Sequence, residues 1–226
     1  MSSFINGPTI FSTSKADWSS QADVWYCSGT AATDIMATTS VGLGYVTSGT
    51  IITMVQSSGG TIAAGLTSGT EYMVVNVNTG TSSFQVYAYG ISSAADITAN
   101  SSGGYDYAYV VKGGNVIPCK EYKYVTASFT PTSGYDGEFW FVGSMTQGFS
   151  PAGRLTTGND FLRLAYTNVA SSSAPVIGTT AFDSTGGTST GYALFRVNTE
   201  GLEEMSIRTS NFVAGGFSMK TNLYKE

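Results

Sequence analysis

Short runs of alternating apolar and polar residues, broken by Gly, Ser, Thr and Asn, fill most of the chain. A period of two places successive side chains on opposite faces, so the pattern predicts β-strands separated by turns. "GTIITMVQ" (49–56) sets Ile51, Thr53 and Val55 against Ile52 and Met54. "EYMVVNVN" (71–78) sets Tyr72, Val74 and Asn76 against Met73, Val75 and Val77, and "SSFQVYAY" (82–89) sets Phe84, Val86 and Ala88 against Gln85, Tyr87 and Tyr89. The link "NTGTSS" makes these two a hairpin, with Gly80 expected at a positive-φ position.

The same reading continues through "KEYKYVTASFT" (120–130), "GEFWFVGSM" (137–145), "DFLRLAY" (160–166), "GYALFRVN" (191–198), "EMSIRTSNF" (204–212) and "GGFSMKTNLYK" (215–225). Six strands with one wet face each predict an antiparallel sandwich. Residues 167–190 read as a long loop of small residues with one strand at 175–182. The best helical candidate, "SKADWSSQADVWY" (14–26), lacks a clean three-to-four spacing and leaves room for one or two turns at most. The expected fold is therefore all-β: two small antiparallel sandwich or barrel-like modules with an N-terminal arm. The arm spans 1–29, the first module 30–112 and the second 113–226. Trp18 and Trp25 are large apolar groups to leave in water, so the arm is expected to dock through them on the body of the chain or on a neighbour.

Composition sharpens this picture. Charged residues make up only 11% of the 226, against roughly 25% in ordinary soluble domains. Sheets usually guard their rims with charge, so a polar but uncharged surface points to rims covered by partner subunits. Residues 1–111 carry one base, Lys15, and six acids, whereas the bases and acids of 112–226 cancel. No basic stripe is available for a phosphate backbone, and nucleic acid is not an expected partner. No apolar run approaches the length of a membrane span and the first residues lack a signal-peptide pattern, so the expectation is a protein made in the cytosol without membrane association. Cys27 and Cys119 are too far apart in sequence to form a close-spaced metal pair and are expected as buried free thiols.

The chain contains no His, which removes Ser-His-Asp and Cys-His nucleophile schemes and most catalytic zinc sites. What remains is carboxylate chemistry. Asp136 and Glu138 flank Gly137, and Glu200, Glu203 and Glu204 cluster in another turn; both groups read as solvated turn residues rather than a facing acid pair. No catalytic residue, metal site or cofactor is expected. "GGYDYAYVV" (103–111) places Tyr105, Tyr107 and Tyr109 on one face of a strand, and aligned tyrosines either stack on sugar rings or pack a seam between modules or subunits.

The segments "AGLTSGTEYMVVNV", "SFQVYAYG" and "AADITANSSGG" together resemble a β-rich segment that recurs in tailed-bacteriophage fibre, neck and head-decoration proteins. Gly65, Leu66, Gly69, Thr70, Tyr72, Val74, Val75 and Asn76 match its first half; Phe84, Val86, Ala95, Ile97, Gly103 and Gly104 match the rest. Ala63 stands where the family usually has Pro, and Met73 replaces a second Tyr. The second module is similar to another phage β-sandwich, through "ASFTPTSGYDGEFWFVGSM" and "RVNTEGLEEMSIR"; it has "SMTQGFSPAG" where that family has an acidic-Gly turn and a Trp. The resemblance implies a non-enzymatic structural protein of a virion assembled in the host cytoplasm. The first expectation is a capsid decoration or cement protein bound to the major capsid protein, as a homo-oligomer and by resemblance a trimer. The alternative is a tail-fibre, neck or baseplate component that contacts the host.

Overall fold

The computed structural model describes residues 3–14, 24–38, 47–56, 61–88, 93–102, 106–113, 115–132, 135–145, 162–168, 176–178, 182–183 and 193–225. Among them there is no helix; the protein is all-β and folds as two units. One holds Trp18–Val111 with Arg154–Gly158, and the other holds Met1–Asp17, Lys112–Gly153 and Asn159–Glu226.

The first unit is a closed antiparallel barrel of six strands: β2 (Val24–Thr30), β3 (Ile35–Thr38), β4 (Ile51–Gln56), β5 (Glu71–Asn78), β6 (Ser83–Ala88) and β7 (Asp106–Val110). They follow one another round the barrel as β2-β3-β6-β5-β4-β7, and β7 closes it by pairing with both β2 and β4. The alternation read from the sequence decides what points inward. Ile52 and Met54 of β4, Tyr72 and Val74 of β5, Phe84 and Val86 of β6 and Ala108 of β7 share one buried cluster. Trp25 belongs to it at 2% exposed, its ring edge-on to Phe84 with centroids 6.0 Å apart. The loop between β4 and β5 also reaches the core through Ala63 and Leu66. Gly65 turns this loop at φ +98°, with a Cβ there driven into the Asp96 carbonyl. Only Gly fits such a turn.

The second unit is a sandwich. Its first sheet runs in the order β1 (Ser3–Ser14), β18 (Gly216–Lys225), β10 (Tyr124–Pro131), β16 (Ala193–Asn198), β13 (Tyr166–Asn168), β14 (Val176–Gly178). The second is built on β11 (Asp136–Ser144) and β17 (Glu204–Ala214), with β12 (Leu162–Arg163), β8 (Lys112–Gly113), β9 (Ile117–Pro118) and β15 (Phe182–Asp183) along them. Rings join the two sheets: Phe139 of β11 lies 5.3 Å from Phe129 of β10, 5.4 Å from Phe195 of β16 and 5.6 Å from Phe217 of β18. Offset and edge-on aromatic pairs of this kind add to the stabilisation from burial alone.

Three expectations are corrected. The segment 1–29 is not one arm: Ser3–Ser14 is a strand of the sandwich paired with β18, while Val24–Thr30 is a barrel strand. Satisfying backbone hydrogen bonds in two different sheets divides it. Val24–Tyr26 is strand, not helical turn, and the rest of that candidate from Lys15 to Asp23 lies outside the described residues. In the turn of the β5–β6 hairpin the positive φ falls on Ser82, at 51°, rather than on Gly80. The Asn78 side chain organises that turn instead, its Oδ1 accepting from the Gly80 and Thr81 amides at 3.0 and 3.3 Å. This Asx geometry does locally what a left-handed Gly was expected to do.

Candidate interaction surfaces

Each tyrosine and tryptophan named from the sequence has a definite place, except Tyr89, Tyr105 and Trp18, which lie outside the described residues. Trp25 docks on the body of its own chain, in the barrel core. Tyr107 and Tyr109 point outward from β7, half-buried, because their neighbour Ala108 points in. Tyr26 of β2, 40% exposed, stands directly across from Tyr107 with ring centroids 4.9 Å apart, and Tyr107 lies 6.2 Å from Tyr109. The outward row thus has a third member that the alternation of β2 could have signalled, since Trp25 and Cys27 face in on either side of Tyr26.

Asp106 at the start of β7 is 2% exposed. Its carboxylate accepts from Ser101 Oγ, which itself accepts from the Gly29 amide at 2.8 Å, and more weakly from the Ala63 amide at 3.4 Å. Burial raises its pKa above the ordinary carboxylate value, and the two hydrogen bonds oppose that rise. The group is a tie between β2, β7 and the β4–β5 loop. Cys27, buried beside it, donates its thiol to the Asp106 carbonyl at 3.6 Å. Burial and then the Asp106 charge push that thiol's pKa far up, and burial followed by Glu204 and Glu203 pushes Cys119 up to about 12. Both cysteines are free, and thiols held protonated in this way are poor nucleophiles.

Of the carboxylates considered for chemistry, Glu203 pairs with Lys120 at 2.7 Å. Asp136 and Glu138 are not turn residues as expected: both belong to strand β11, Glu138 across from Ser210. Among the described residues no three Cys, Asp or Glu side chains gather as a metal site would require.

The outward face of the first sandwich sheet has a different character. Register places Tyr224 of β18 beside Tyr124 of β10, and their rings stack at 4.8 Å with an 18° interplanar angle. Arg196 of β16 lays its guanidinium over the Tyr124 ring, Cζ 3.9 Å from the centroid. Because β18 and β16 flank β10 on opposite sides, Tyr124 is held between ring and guanidinium. Nearby, Glu121 and Lys225 form an exposed ion pair, which holds the Glu121 pKa down and the Lys225 pKa up.

Among the described residues no further strand pairs with the rims of this sheet. β1 pairs with β18 on one side, and on its other side it is the outermost strand. Its twelve residues, "SFINGPTIFSTS", include no charge. The register slips between Asn6 and Thr9, where Gly7-Pro8 interrupts it, and again between Thr9 and Phe11. No family model matches the chain, and neither any curated protein nor any solved structure does.

Proposed function

We propose that the protein is a structural component of a tailed-phage particle, acting as a decoration protein on the outer shell. The observation that carries this reading is β1, a twelve-residue rim strand without a single charge. A row of unpaired backbone donors and acceptors is a template for another strand, and soluble proteins seldom leave one so long and so uncharged. The Gly7-Pro8 irregularity blunts the rim only locally. In this role the subunit stabilises the shell by covering strand edges and apolar surface between neighbours, sister copies and the major capsid protein included, and performs no catalysis. The resemblance of the 64–104 segment to phage modules supports the same reading.

The test is reconstitution. Purified protein is added to shells that lack it, and co-sedimentation and the temperature of DNA release are measured. Binding with a higher release temperature is expected; no association with shells overturns the proposal. Copy number then separates the readings, hundreds per particle for a shell protein and about a dozen or fewer for a tail protein. The tail-fibre reading, with host contact, draws on the partly exposed row of Tyr26, Tyr107 and Tyr109, since rings presented in a line suit sugar stacking.

A further inference from the structure

The six strands of the first sandwich sheet contain three charged residues, Arg196, Lys220 and Lys225, and all three are basic. This stands out in a chain with net charge −5. Lys225 is neutralised by Glu121. Arg196 and Lys220 are exposed, and neither has an acidic partner among the described residues. The face therefore calls for a ligand that brings negative charge.

We propose that the outward face of this sheet around Arg196, Tyr124 and Tyr224 is a binding site for a glycan that carries uronic-acid carboxylates. The guanidinium lies against Tyr124, which is backed in turn by Tyr224. A planar fork fixed in this way presents paired N–H donors with little entropy left to lose, and it matches a carboxylate bidentately. Around it the pairing register brings hydroxyls and amides to the same face. Asn222 lies beyond the buried Thr126 from Arg196, Tyr124 stands between Asn198 and Tyr224, and Thr167 lies across from Arg196. Hydroxyl-rich sugar rings satisfy such groups. An acidic protein segment would need an apolar anchor pocket as well; among the described residues the apolar neighbour of Arg196 on this face is the half-buried Leu194, and one side chain makes no pocket. The proposal does not depend on a place in a virus particle, and it concerns a different face and a different unit from the barrel tyrosines.

The experiment titrates the full chain with oligosaccharides of alginate and of polygalacturonate, followed by calorimetry in low and in physiological salt. Neutral dextran and poly-glutamate serve as comparisons. Binding of at least one polyuronate, no binding of dextran, and a loss of about tenfold or more in Arg196→Gln are expected, with Arg196→Lys intermediate because it keeps the charge and loses the fork. Arg196 is exposed, so the fold should survive, and near-UV circular dichroism checks that it does. Asn198→Ala should weaken the polyuronate and leave any poly-glutamate binding unchanged. Binding of neither polyuronate overturns the proposal, as does full affinity in Arg196→Gln. Poly-glutamate binding as tightly as the sugars, with no effect of Asn198→Ala on either, also overturns it and makes the face a site for acidic protein.

Discussion

The barrel and the sandwich are both antiparallel, yet they differ in what they leave unfinished. Every strand of the barrel has two neighbours, and its ladder closes on itself through β7. Such a sheet has no rim, so it can meet a partner only through side chains. Among the described residues the sandwich has rim strands with no second neighbour, β1 the longest, and can be extended through its backbone. The low charge of the chain therefore has two meanings. On the barrel it leaves an outward row of tyrosines, and in the sandwich it leaves a rim without the lysines that usually discourage strand addition. The cores differ as well. The barrel is filled mainly with Ile, Met, Val and single Trp, Tyr and Phe rings, whereas the sandwich is held by a continuous ring cluster.

The difference between the cores offers the largest effect. Phe139→Ala removes a ring that contacts Phe129, Phe141, Phe195 and Phe217 and should cost about 3–5 kcal/mol, while Ile52→Val in the barrel should cost about 0.5–1.5 kcal/mol. Urea unfolding of the two variants measures this, with Phe84→Ala in the barrel core as the control of equal size; a loss in Phe139→Ala no larger than in Phe84→Ala would show that the aromatic cluster adds nothing beyond burial. A smaller effect separates two glycines of the barrel loop. Gly69→Ala meets open space at φ +73° and should cost about 1–2 kcal/mol. Gly65→Ala suffers the same dihedral penalty plus collision with the Asp96 carbonyl, so its urea midpoint should fall further.

The smallest effect concerns the closure of the barrel at Asp106. Its folded-state pKa is raised, mainly by burial, so the neutral form is favoured on folding. The stability it supplies is then fully present below the unfolded-state pKa and is lost as pH rises through the folded-state value. Asp106→Asn keeps an oxygen for the Ser101 hydroxyl and the Ala63 amide but cannot ionise. Relative to this variant, the wild type should gain stability on acidification, as measured by thermal unfolding across the carboxylate range. A pH-independent difference would mean that hydrogen bonding fully offsets the burial.

Most of the strands were legible because alternation reports burial directly. The hairpin of β5 and β6 and the long strands β10 and β18 fall where Tyr72, Val74, Val125 and Leu223 mark one wet and one dry face. The strands β11 and β17 also fall where the sequence put them, but the expected wet face is absent: Trp140, Ser206 and Arg208 are as buried as Phe139 and Ile207. Closure was not legible, because nothing local in β7 says that it will pair with both β2 and β4. Membership of β1 in the sandwich was hidden for the same reason: its partner lies more than two hundred residues away, as Ser3 faces Lys225. The arginine on its tyrosine stack was equally invisible. Tyr124, Arg196 and Tyr224 are scattered along the sequence and meet only through the β16-β10-β18 order. The buried Asp106 could have been suspected from a lone acid in an apolar run, "YDYAYVV".

The pairing of Ser3 with Lys225 also sets a timetable. On the ribosome β1 emerges ahead of every other strand described, and the segment it must join emerges behind all of them. The barrel, drawn chiefly from one contiguous stretch, has its strands available long before that. Synthesis therefore leaves β1 waiting with both of its edges bare, exposed to other nascent chains until translation reaches the last strand.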